Sequence, residues 1–199
     1  MKLILRSIAV LGAFMLLAQT VPARADDVSD LQAKMRAALR SAKSFVETVT
    51  VSPNPYVPLG GTMVFTVVAP NRYRQLAGGG SMPPDETVII GNEVYGNDSR
   101  GWTVQTWSDH LVTGFEGDVF NLIVRSIGAD ATVAGKMVGS VVLKDPRGAK
   151  ESDVLACTYE KSSFRLLTCS GGSSKLVVSK YDDPANAIPT PKNPKRLDK

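Results

Sequence analysis

The sequence predicts an α+β domain: a strongly curved antiparallel β-sheet, an incomplete half-barrel, with helices covering its concave opening. Three observations predict it. One segment near the start, residues 30–42, carries apolar side chains at helical spacing. From Phe45 onward the period changes to two, in short β-branched runs separated by Pro, Gly and Asn turns. These turns are local and long crossovers are few, which favours antiparallel pairing. A large twisted sheet needs a face covered, and two helices can cover one face only.

Taken in order, Ser29-Asp30-Leu31-Gln32 places a serine at an N-cap and a glutamine three residues later, a capping-box pattern. Leu31, Met35, Ala38, Leu39 and Ala42 follow on one face, and the spacing predicts a helix from about Asp30 to Ala42. Lys34, Arg36, Arg40 and Lys43 fall mostly elsewhere around the cylinder and read as a solvated face. Phe45 to Val51 and Thr62 to Val68 alternate as strands, with Ser52-Pro53-Asn54-Pro55 and Pro58-Leu59-Gly60-Gly61 as turn chemistry between them. Pro70-Asn71 folds Arg72 to Leu76 back on the preceding strand. Gly78-Gly79-Gly80-Ser81-Met82-Pro83-Pro84 reads as a flexible break; its glycines lack the Lys-Ser/Thr of a phosphate loop. Glu86–Ile90 and Glu93–Tyr95 read as a hairpin across Gly91-Asn92, and Trp102–Trp107 as a further strand. Phe120 to Ile127 fits strand or helix, but Gly117-Asp118 before it and Gly128 after it resemble helix punctuation, and it is read as the second helix. Strands return at about 131–143, 153–160, 164–170 and 174–181.

The chain is 199 residues with 43% apolar side chains, 17 Gly and 12 Pro, which excludes a wholly disordered chain or a collagen. Its formal charge of +4 would invite a nucleic-acid reading, but the charge sits at the ends. Residues 1–25 hold three basic groups and no acid, flanking an 11-residue apolar run, Ile8 to Ala18. That run is short for a spanning helix, and Ala23 and Ala25 make an A-x-A cleavage site. Residues 1–25 are therefore expected to be a signal peptide, with an exported, periplasmic mature chain beginning at Asp26. No cysteine lies there to take a lipid. Thr190 to Lys199 hold four basic groups and one acid, so residues 26–189 carry 16 basic and 18 acidic groups. There is no basic domain, and no nucleic-acid partner is expected.

Cys157 and Cys169 flank Lys161-Ser162-Ser163. A three-residue loop at 162–164 would set them directly opposite each other, and in an oxidising compartment they are expected to be bridged. Two thiols without further Cys or His do not close a zinc shell. His110, the only histidine, lies beside Asp109 with no serine elbow or metal set to work with. Asp182-Asp183 reads as surface charge before calcium ligation. No catalytic constellation, cofactor site or metal site is read, and an enzyme is not expected.

Several segments, in order and spacing, resemble the periplasmic outer-membrane lipoprotein carrier LolA and the superfamily that includes the LppX/LprG-type lipid-binding lipoproteins. They are the Ser29-Asp30-Leu31 helix running into Ser44 to Thr50; Gly61 to Phe65 followed by Pro70 to Arg74; Pro84-Asp85-Glu86-Thr87 leading to Ile90 to Tyr95; Trp102 and Trp107; Phe120 to Arg125; and Ile188-Pro189-Thr190-Pro191. The likeness spans residues 29–191. It implies an eleven-stranded half-barrel closed by helices around a hydrophobic cavity for acyl chains. Two departures stand out: Val68 and Ala69 replace the carrier's basic residues before the turn proline, and the Cys157/Cys169 hairpin is unlike the carrier. A free lipid or glycolipid becomes as good a cargo as an acylated lipoprotein.

On this reading residues 26–191 form the domain and 192–199 a disordered, solvated basic tail. The protein is expected to be a monomeric periplasmic carrier of lipid or acylated protein cargo, moving between an inner-membrane exporter and an outer-membrane acceptor. The other reading is a ligand sensor or envelope scaffold of the same fold that binds a protein partner. Met63, Phe65 and Val67 share a strand face; Tyr73, Val88, Ile90, Tyr95 and Trp102 are expected to continue it, with Leu122 and Ile123 added from the second helix. Each of these also reads as an ordinary core side chain.

Overall fold

The structure is a computed structural model that describes residues 25–55, 57–80, 82–98, 100–107, 123–144 and 154–197. Helix α1 (Ala25–Ser41) leads into β1 (Ser44–Val51), β2 (Gly61–Val68), β3 (Arg72–Gly79), β4 (Met82–Ile90), β5 (Glu93–Asp98) and β6 (Gly101–Thr106). Then come β7 (Ile123–Ile127), β8 (Ala131–Val133), β9 (Lys136–Lys144), β10 (Val154–Glu160), β11 (Leu166–Gly171) and β12 (Ser174–Ser179). A 3-10 turn at Pro184–Asn186 and β13 (Lys195–Arg196) complete the chain.

The thirteen strands among the described residues form one curved, unclosed sheet in the order β13-β6-β5-β4-β3-β2-β1-β12-β11-β10-β9-β7, with β8 also paired to β9. It consists of two meanders, β1 to β6 and β9 to β12, stitched together by the antiparallel β1–β12 pair at the middle. Every pairing is antiparallel except β13 on β6. The resemblance implied eleven strands; the described residues hold thirteen, of which β8 and β13 are only three and two residues long.

The segment expected to be a second helix is partly a strand. Ile123–Ile127 is β7, with Val124 opposite Leu143 of β9 and Ile127 opposite Val141; residues 120–122 lie outside the described residues. A short apolar run bounded by glycine satisfies either period, and the open edge of β9 offers it a ladder of backbone partners. Among the described residues α1 is the one α-helix, so the expected pair of helices over the opening is not seen. The helix itself begins earlier than the capping box suggests: Ser29 lies inside it, its hydroxyl donating to Asp26 O at 3.3 Å. Asp26 and Asp27 occupy the first turn and Arg40 the last, each favourable to the helix dipole.

Cross-strand partners share a face, so the register assigns each side chain. On one face, called here the helix face, Leu31, Met35, Leu39 and Ala42 pack onto Phe45, Val124, Val141, Leu143, Cys157, Tyr159, Leu166, Cys169 and Val178, all buried. Gly139 belongs to this packing: a Cβ there would lie 2.4 Å from the Tyr159 ring, which lies across it. On the opposite face a smaller core of Val88, Tyr95, Val104 and Ile188 is flanked by Val68, Ile90 and Trp102. Its cover is the C-terminal segment, which crosses that face as a strap from the 3-10 turn to β13.

Cys157 and Cys169 face each other and are bridged, with Cα atoms 4.0 Å apart. The expected register is reached by a different turn. Glu160 N donates to Arg165 O, so the loop is residues 161–164, and an irregularity after Thr158 restores the cysteine register. Phe164 closes that loop in the left-handed region, at φ +57°.

Within the triple glycine, expected to be a flexible break, Gly78 and Gly79 end β3 and Gly80 is closely packed. A Cβ on Gly80 would fall 2.3 Å from Gly60 O, so the end of the β3–β4 hairpin rests on the Leu59-Gly60 turn. The tail expected to be disordered from Lys192 is also partly ordered. Lys195 and Arg196 pair with Thr103 and Val104, and Leu197 N donates to Val104 O at 2.9 Å.

Candidate functional site

The helix face is the candidate site, and its two halves differ. Over β7 and β9 to β12, α1 is seated by its Leu31, Met35, Leu39 stripe. Gln32 fixes its height, Oε1 accepting from Val124 N at 3.2 Å on the edge strand. Phe164 stacks on Tyr159 with centroids 6.3 Å apart, and Lys34 lies over the Phe164 ring at 5.3 Å. Between helix and sheet, Gln32, Met35, Arg36, Leu39, Val124, Leu143 and Leu166 line a cleft with about 20 Å³ of free space. That holds about one water.

Beyond the helix, over β2 to β6, the described residues form no second core on this face. The register runs one row of side chains straight across it: Phe45, Val67, Tyr73, Ile89, Val94 and then Gln105. The next row reads Glu47, Phe65, Gln75, Thr87, Gly96 and Thr103. Phe65 stacks on Tyr73 at 5.9 Å, and the Tyr73 hydroxyl donates to Gln75 Oε1 at 3.3 Å. Val67 touches the helix-covered core; Met63, Phe65, Tyr73, Ile89 and Val94 are half-buried and belong to neither core. A half-buried apolar row continuous with a core is a surface on which an alkyl chain loses contact with water.

The structure divides the residues expected to line a cavity. Met63, Phe65, Val67 and Tyr73 do share the helix face. Val88, Ile90, Tyr95 and Trp102 point the other way and belong to the core beneath the strap, because Tyr73 pairs with Ile89 and not with its neighbours. Ile123 pairs with Lys144 at the sheet edge and is 40% exposed; Leu122 lies outside the described residues. Ile89 and Val94 are the residues that sequence reasoning missed. Val88-Ile89-Ile90 is apolar at both parities because each face of β4 has something to bury, so alternation carried no phase.

Under the strap the contacts are polar as well as apolar. Arg72 Nη1 donates to Ile188 O at 2.8 Å, and Arg196 Nη2 reaches Glu93 Oε1 at 2.6 Å. Glu93 Oε2 also accepts from the Tyr95 hydroxyl at 2.5 Å, and this bond, with burial second, raises the phenol above its usual pKa. Buried Asn186 donates to Ser44 Oγ at 2.9 Å and Lys180 O at 2.7 Å, pinning the 3-10 turn to the start of β1. Asp182 and Asp183 are structural: Asp182 accepts from Lys43 N at 2.7 Å and pairs with Arg165, while Asp183 caps the 3-10 turn through Ala185 N. No group of three or more His, Cys, Asp or Glu able to hold a metal ion occurs among the described residues. His110 lies outside them.

No family model and no curated protein matches the sequence. Solved structures do match. LprF from Mycobacterium bovis is similar with a TM-score of 0.53 at 14% identity, covering 85% of this chain and 98% of that one. In fold, this chain is similar to LprF. LppX from Mycobacterium tuberculosis gives a TM-score of 0.48 at 16% identity, over 78% of this chain and 97% of its own. The Pseudomonas aeruginosa MucA/MucB complex gives 0.46 at 12%, over 82% of this chain and 61% of that chain. Within the sheet the apolar row lies on the same face as α1, with the strap on the other. Among the described residues no helix is long and apolar enough to cross a membrane.

Proposed function

We propose that this protein is an extracytoplasmic carrier that shields the acyl chains of a lipid, glycolipid or lipoprotein in transit between the inner and outer membranes. The observation that carries the reading is the apolar row Phe45, Val67, Tyr73, Ile89 and Val94, which starts inside the helix-covered core and continues onto open sheet. An acyl chain laid along it removes apolar surface from water at roughly 25 cal/mol per Å². Ligand pockets usually measure about 300–1,000 Å³, so the one-water cleft under α1 does not hold a chain as it stands. The chain lies on the open half, or α1 moves aside. Export through residues 1–25, and an exporter and an acceptor as partners, belong to the same proposal.

The test is to purify the mature chain from a membrane-containing host and analyse bound lipid by mass spectrometry. Labelling with a photoactivatable fatty acid locates it. Stoichiometric lipid, with label on Tyr73 or Ile89, is the expected result. A lipid-free protein that takes no label overturns the carrier reading. The narrow cleft favours a second reading in that event, a module of this fold whose open face receives a protein partner.

A further inference from the structure

The apolar row runs toward the β6–β13 edge, where exposed apolar side chains and lysines occur together. Leu197 follows Lys195 in parity, and Trp107 follows Thr103 and Gln105, so all of them project on the helix face. Trp107 is 44% exposed and Leu197 is 54% exposed, both large apolar side chains offered to solvent. They are held there by backbone bonds, Trp107 N to Asn92 O at 3.0 Å and Leu197 N to Val104 O at 2.9 Å. Lys195 is exposed on the same face, and Lys192, three residues before it, is exposed as well. Residues 190–199 carry four cations against one acid; Arg196, one of the four, is paired with Glu93.

We propose that the β6–β13 edge docks this protein on an anionic bilayer, with Trp107 and Leu197 at head-group depth and Lys192 and Lys195 against lipid phosphates. Charge decides the occupant. Tryptophan favours the membrane–water interface, where its ring sits in the apolar zone and its N–H stays solvated. Lysines near the surface add an attraction that salt screens within a Debye length. Pairing to β6 fixes Lys195 on the helix face, three residues after Lys192. It also places the docking surface at the end of the apolar row, where an alkyl chain could pass between bilayer and sheet.

Flotation with vesicles of phosphatidylethanolamine and phosphatidylglycerol, against phosphatidylcholine alone, tests this without any cargo. The carrier reading can therefore fail while the docking surface stands, and the reverse. Binding to the anionic vesicles is expected, weakening as salt rises. Lys192→Glu with Lys195→Glu should lower it by at least about tenfold, and Trp107→Ser or Leu197→Ser several-fold, with quenching of Trp107 by brominated lipid. Because these side chains are exposed, the variants should unfold at the same denaturant concentration as the parent. Absent binding, binding equal on both vesicle types, or binding untouched by the variants overturns the proposal. So does sedimentation showing that this edge instead joins two copies of the chain.

Discussion

The two halves of the sheet are covered on opposite faces. Across β7, β9 to β12 and β1, α1 and the sheet together form a core of thirteen buried residues on the helix face, and a disulfide ties two central strands beneath it. Across β2 to β6, the strap and the sheet form a core of four on the other face, and the strap is held by Arg72, Asn186 and Arg196. One half is built for stability. The other uses a small core to stand up a sheet whose helix-side surface remains only half-buried. On the carrier proposal, a ligand would lie on the helix-side surface of β2 to β6, which belongs to neither core.

The largest effect should come from the helix-covered half. Leu166 is 1% exposed at its centre, and Leu166→Ala should cost about 2–5 kcal/mol, as large-to-small changes in packed cores do. Chemical denaturation measures it. The comparison breaks if Ile188→Ala, in the strap core, costs more. Removing the bridge with Cys157→Ala and Cys169→Ala should cost about 2–4 kcal/mol, read as a lower melting temperature. The loss should reduce hydrogen-exchange protection across β10 and β11 before β4 and β5.

A smaller, more local effect is expected from Asn186→Ala. The change leaves Lys180 O and Ser44 Oγ without the amide that joins them, about 1–3 kcal/mol for buried polar groups losing a partner. Exchange should rise at the 3-10 turn and β13, with β9 to β12 unchanged. If the whole sheet loosens instead, strap and helix halves are one cooperative unit and the contrast drawn above is too strong.

The same division explains what the sequence made legible. Strand positions and the cysteine register were readable, because one-sided strands alternate and hairpin arithmetic is local. Phase failed at Val88, Ile89 and Ile90, where two covers on two faces erase alternation, and Tyr95 and Trp102 were assigned to the wrong face with them. The apolar row was therefore partly legible, through Val67 and Tyr73, with Met63 and Phe65 beside them on the same face. Ile123–Ile127 failed because its state is set by a distant edge strand. The tail failed for the same reason: nothing in Lys192 to Lys199 says strand, and it is the unpaired backbone of β6 that makes it one.

The smallest expected effect sharpens the seam between the halves. Asp182 sits where α1, β1, the β10–β11 loop and the strap meet, accepting from Lys43 N and pairing with Arg165, whose guanidinium lies 4.8 Å over the Tyr181 ring. The Lys43 amide first, then Arg165, hold its carboxyl below the usual aspartate range. A depressed folded-state pKa stabilises the fold at pH values above the ordinary aspartate pKa, and this contribution is lost as pH falls through the folded value. Glu160 shifts in the same direction, through Ser163 and then Lys136, and adds to the same acid limb. Both groups are near the surface, so the dependence should be shallow and weaken with salt. Asp182→Asn should flatten part of the loss of stability below about pH 4 while lowering stability at neutral pH. An unchanged acid limb in that variant would mean that the corner is held by Tyr181, whose hydroxyl donates to Leu166 O at 2.9 Å, and not by charge.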